Sequence, residues 1–75
     1  MKTINNNYNE LCKELEKIRG AEVYESDEEQ YVELAIITDD NINKAIFIIT
    51  EYGYEVIEQH WCSGSDYDSY CIWFV

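Results

Sequence analysis

His60, Cys62 and Cys71 are the residues whose types and spacing come closest to a chemical site. His60 and Cys62 are two apart, so on an extended strand they share a face, and Cys71 can approach them from a following strand. Tetrahedral zinc wants four ligands, commonly supplied as C-x2-4-C pairs. Only one close pair is present, and the fourth ligand would have to be Cys12 or a carboxylate. The pattern favours small apolar thiols over a metal centre. A Cys–His nucleophile is also disfavoured, because same-face neighbours on a strand sit ~6.5 Å apart at Cα. Surrounding carboxylates would further raise a thiol pKa, the wrong direction for activation. Three cysteines without paired spacing fit reduced thiols, although a Cys62–Cys71 bridge across a hairpin stays open.

Carboxylates are so abundant that no two of them single out a catalytic pair. The chain has sixteen Asp and Glu residues. It has no glycine-rich phosphate loop and no dinucleotide fingerprint, and a short chain offers little concave volume for a substrate. The expectation is a non-enzyme with no cofactor and no metal.

The charge is more informative by position than by total. Sixteen acids against five bases give a net charge of −11. Residues 1–19 carry Lys2, Lys13, Lys17 and Arg19 against three glutamates and net +1. Residues 20–75 carry thirteen acids and only Lys44, and net −12. Such a surface repels nucleic acid and anionic membrane and attracts basic proteins. No apolar run is long enough to span a bilayer, and the polar start lacks the apolar stretch of a secretory signal. These features predict a soluble, cytoplasmic protein.

The elements that must position these residues fit one domain, residues 1–75. Ile4, Tyr8, Leu11, Leu15 and Ile18 recur at spacings of four and three, an amphipathic helix ending at Gly20. Asn5, Asn6 and Asn7 offer N-caps for it. From Ala21 to Glu25 and from Gln30 to Thr38 the period becomes two, with a polar turn between, which reads as a hairpin. Val32, Leu34 and Ile36 then point one way and Tyr31 and Glu33 the other. Asp39 and Asp40 open a second helix with Ile42, Ala45, Ile46 and Ile49 as its buried stripe. Tyr54–Cys62 and Tyr70–Val75 read as two further strands. The last is apolar throughout, so it is either central in the sheet or covered by a partner subunit. Gly20-Ala-Glu-Val-Tyr-Glu and Gly53-Tyr-Glu-Val-Ile-Glu follow the two helices with matching glycine, glutamates and valine. The plan is an αββαββ, α+β fold: two helices on one face of a four-stranded, mostly antiparallel sheet.

That plan assigns faces. With Val23, Val56, Val32, Leu34 and Ile36 toward the helices, the open face shows Glu22, Tyr24, Tyr31, Glu33, Glu55, Ile57 and Trp61. Acids interleaved with aromatics suit a Lys/Arg-rich partner through ion pairs and cation–π contact. The other readings are an ordinary solvated face or one covered in a homodimer. The first hairpin, with Glu22, Glu25, Asp27, Glu28, Glu29 and Glu33, places six acids in twelve residues without a base. Duplex DNA carries one charge per ~1.7 Å of axis, and a row of carboxylates can imitate that spacing. Asp66 and Asp68 add charge at the second hairpin.

In size, acidity and α+β plan, and in the bare acidic stretch 22–33, the chain resembles the small acidic inhibitors of phages and mobile elements, anti-CRISPR proteins and other DNA mimics among them. The resemblance is one of kind and carries no diagnostic motif. It implies an inhibitor that occupies the nucleic-acid-binding surface of a partner such as a defence nuclease. Two alternatives stand beside it: an immunity protein or antitoxin neutralising a basic toxin, and a non-catalytic homo-oligomeric subunit.

Overall fold

The computed structural model describes residues 4–25, 29–63 and 68–75. Its elements run α1 (Ile4–Glu16), β1 (Ala21–Glu25), β2 (Gln30–Leu34), α2 (Asp39–Glu51), β3 (Val56–Ser63) and β4 (Asp68–Phe74). The αββαββ plan holds. The four strands form one antiparallel sheet in the order β1-β2-β4-β3, with both helices on one face.

Helical periodicity puts Leu11 and Leu15 of α1, and Ala45 and Ile49 of α2, against the sheet. They meet Ala21, Val32, Leu34, Ile72 and Phe74, the inward residues of β1, β2 and β4. Strand β4 is apolar on both faces because it is central, hydrogen-bonded to β2 on one side and β3 on the other.

The boundaries depart from the sequence reading in physically explicable ways. Helix α1 starts at Ile4, so Asn5, Asn6 and Asn7 occupy helical positions instead of preceding the helix. Thr38, not Asp39 or Asp40, is the N-cap of α2, where its hydroxyl accepts from the Asn41 amide at 3.1 Å. The two aspartates sit in the first turn, where the helix dipole favours them. Strand β2 stops at Leu34 instead of Thr38, because the chain must turn there to reach that cap. Asn41 Nδ2 holds the turn by donating to the Ile36 carbonyl at 2.9 Å, and Ile36 is exposed rather than packed under the helices. Strand β3 begins at Val56 rather than Tyr54, and β4 at Asp68 rather than Tyr70.

The two helix–strand–strand halves are related about the β2–β4 contact at the sheet centre. Gly20 and Gly53 have the same left-handed φ of +86° at the matching junctions. After α2 this makes a Schellman ending, with Gly53 N–H to the Thr50 carbonyl at 3.0 Å and Tyr54 N–H to the Ile49 carbonyl at 3.1 Å. The strands that follow are offset, however. Ala21 pairs with Leu34, as Val56 pairs with Phe74, so structurally Ala21 matches Val56 and not Tyr54.

Candidate functional site

The face of the sheet away from the helices is built by strand alternation, which sends every second side chain there. It receives Glu22 and Tyr24 from β1, Tyr31 and Glu33 from β2, and Ser69, Cys71 and Trp73 from β4. A β-bulge between Val56 and Glu58 then resets β3, so that Glu58, His60 and Cys62 reach this face.

Four rings form a continuous stack across all four strands. Tyr24 stacks on Tyr31 with centroids 5.2 Å apart, Tyr31 on Trp73 at 5.1 Å, and Trp73 on His60 at 4.6 Å. The first two separations follow from the ~4.8 Å spacing of neighbouring strands. Because the rings face one another, the inner pair presents edges and polar tips outward. Cation–π contact through a ring face is therefore confined to the Tyr24 end, which narrows the expectation drawn from composition.

Carboxylates border the stack. Glu22 and Glu33 are direct cross-strand partners, an arrangement in which like charges repel. They flank a shallow depression of about 350 Å³, lined also by Gly20, Ala21 and Ala35. Glu22 accepts from the Tyr24 hydroxyl at 2.5 Å, and Glu33 accepts from the Ser69 hydroxyl at 2.8 Å, so both carboxylates are oriented. The Tyr24 phenol is pushed up to about 12, first because Glu22 holds its proton. Glu58 lies 3.1 Å from His60 Nε2, while His60 Nδ1 lies 3.2 Å from the Trp61 carbonyl.

Those contacts bear on the chemistry weighed from sequence. Both ring nitrogens of His60 face hydrogen-bond acceptors other than a thiol. Cys62 and Cys71 instead touch each other, the Cys62 thiol donating to the Cys71 sulfur at 2.9 Å. Burial, and next the neighbouring Cys62 thiol, push the Cys71 thiol up to about 12, away from thiolate reactivity. Among the described residues, no group of three or more His, Cys, Asp and Glu side chains is placed to hold a metal ion.

The expected site residues divide. Glu22, Tyr24, Tyr31 and Glu33 lie together on the open face as expected, and Glu55 joins them at the margin, exchanging two backbone hydrogen bonds with Val75. Trp61 does not. The bulge at Ile57 shifts β3 by one residue, so Trp61 pairs with Tyr70 on the helix side of the sheet, where it is 60% exposed and packs edge-on against Tyr70. Glu25 and Asp68 also alternate toward the helix side, at the ends of their strands. Glu29 is half-buried just before β2. Asp27, Glu28 and Asp66 lie outside the described residues. Trp73, His60 and Glu58 were absent from the expected interface. Trp73 was hidden in an apolar strand, and a bulge leaves no mark in composition.

Carboxylates lie on both layers, but the described cations lie on one. Among the described residues, Lys13, Lys17, Arg19 and Lys44 all belong to the helices or the turn after α1, and no strand carries Lys or Arg. Among the described residues, no helix is long and apolar enough to cross a membrane. Comparison with known proteins gave no match to any protein-family model, curated protein or solved structure.

Proposed function

We propose that this protein is a non-catalytic inhibitor whose open sheet face binds the basic, nucleic-acid-binding surface of another protein. The observation that carries this reading is that, among the described residues, the open face bears carboxylates and no Lys or Arg. The open face bears Glu22, Glu33 and Glu58 around a four-ring stack, and the described cations all sit on the helical layer. The depression between Glu22 and Glu33 suits one Lys or Arg side chain, whose charge would relieve the repulsion between the two carboxylates. Two copies of the chain joined open face to open face would oppose like charges.

A defence nuclease such as a CRISPR effector and a basic toxin are both partners of this chemistry. They differ in breadth: an immunity protein holds one cognate toxin, whereas a nucleic-acid mimic competes with DNA or RNA. The test is capture of partners on the immobilised protein from a host lysate at low salt, followed by elution with duplex DNA or RNA. Release of a nucleic-acid-binding protein by the oligonucleotide, and by added salt, supports the reading. Retention of no basic protein at low salt overturns it.

A further inference from the structure

The two sulfurs of Cys62 and Cys71 are free thiols 2.9 Å apart, on edge strand β3 and central strand β4. We propose that they are a reversible oxidation site, closed into a cross-strand disulfide by a low-molecular-weight disulfide of the glutathione type. The inference stands apart from the binding role and holds whether or not that reading survives.

The geometry supplies the proximity. A disulfide needs sulfurs at about 2.05 Å, so closure asks for less than about 1 Å of further approach. The backbone already holds both residues in paired strands, with Cys62 opposite Ser69 and Cys71 opposite His60. Their meeting is diagonal across one register step, on the same face as the ring stack. Cys12, the third cysteine, lies on α1 on the far side of the sheet and takes no part.

The two sulfurs differ in access, which sets the order of events. Cys62 is half-buried and Cys71 is buried. The Cys62 thiolate attacks one sulfur of the small disulfide and releases one small thiolate, leaving a mixed disulfide on Cys62. Cys71 then gives up its proton to solvent, and its thiolate attacks the Cys62 sulfur and displaces the second small thiolate. Overall the protein dithiol loses two electrons and two protons, and the small disulfide is reduced to two thiols. The raised Cys71 pKa agrees with its acting second rather than as the attacking group. The product would tie the edge strand to the sheet centre beside the His60–Trp73 end of the stack.

The test uses the full chain carrying Cys12→Ser, equilibrated with reduced and oxidised glutathione, then acid-quenched, alkylated after unfolding and weighed intact. The expected product is a monomer lighter by two hydrogens that takes no alkylating agent, with the glutathione adduct a minor species. The same equilibration in urea should give several-fold less of the internal bridge relative to the adduct. Adding Cys71→Ser should leave a stable adduct on Cys62, formed faster than the adduct on Cys71 when Cys62→Ser is added instead. The proposal is overturned if the folded chain keeps both thiols, stops at the adduct, or closes no better than it does in urea.

Discussion

His60 stacks on Trp73 at a centroid separation of 4.6 Å although its cross-strand partner is Cys71 and the partner of Trp73 is Glu58. The contact is therefore diagonal, whereas Tyr24 and Tyr31, and Tyr31 and Trp73, stack between directly paired residues. The stack joins both edge strands to the sheet centre without help from the helices. Each aromatic pair contributes roughly 0.5–1.5 kcal/mol beyond area burial. A double-mutant cycle with Tyr31→Ala and Trp73→Ala, followed by urea unfolding, should return a coupling of about 1 kcal/mol. Strict additivity would mean that the rings merely lie near each other.

The junction glycines give an internal comparison. Both have φ of +86°, but a Cβ on Gly20 would lie 3.3 Å from Ile36 Cγ1 and from the Ile36 backbone nitrogen, whereas one on Gly53 meets nothing within 4 Å. Gly53→Ala should cost about 1–2 kcal/mol, the backbone term alone. Gly20→Ala should cost more, measured by the urea midpoint. Equal losses would show that Ile36 moves aside freely.

The face assignment shows how much could be read before folding. Periodicity in Val32 and Leu34, and in the stripe ending at Ile18, carries the helix–sheet plan because it reports directly on burial. The wholly apolar Tyr70–Val75 segment left two readings, a central strand or one covered by a partner subunit, and the strand order makes it central. The outward residues of β3 were not legible, since one inserted residue at Ile57 exchanges the faces of Glu58, Gln59, His60, Trp61 and Cys62 together. Alternation read through that position sends Trp61 to the open face. The ring stack was equally hidden, because Tyr24, Tyr31, His60 and Trp73 come from four strands and meet only once the strand order is known.

Tyr8 illustrates a different cost. Its hydroxyl is buried and makes no well-formed hydrogen bond, although the Cys12 thiol and the Glu25 carboxylate lie near enough to add to burial in raising its pKa. Removing a buried hydroxyl held this loosely relieves a desolvation penalty of about 1 kcal/mol. Tyr8→Phe should therefore match or exceed the parent in thermal midpoint. A clear fall would mean that the hydroxyl is satisfied.

Alkaline stability follows from groups that are harder to ionise in the fold. Cys71 is pushed from 9.0 up to about 12, and burial raises Tyr31 and Tyr54 above 10.0. Each folded pKa lies above its unfolded value, so above about pH 9 the unfolded chain holds fewer protons than the folded one. The stability these groups contribute is complete below that pH and lost as pH rises toward 12. Urea midpoints should be level in this respect near neutrality and fall progressively in alkali. Cys71→Ser should remove the earliest part of the fall, and an unchanged profile in that variant would place the titration elsewhere.

The measurement that bears most directly on function compares charge reversal on the two layers. Glu22→Lys, Glu55→Lys and Glu58→Lys alter exposed positions on the open face, and Glu10→Lys, Glu16→Lys and Glu51→Lys alter exposed positions on the helices. Both triple variants change the net charge equally. Affinity for the nucleic-acid-eluted partner, measured at one ionic strength, should fall at least about a hundredfold for the sheet variant and only a few-fold for the helix variant. Equal losses in the two variants, or a larger loss in the helix variant, would contradict the open sheet face as the binding surface.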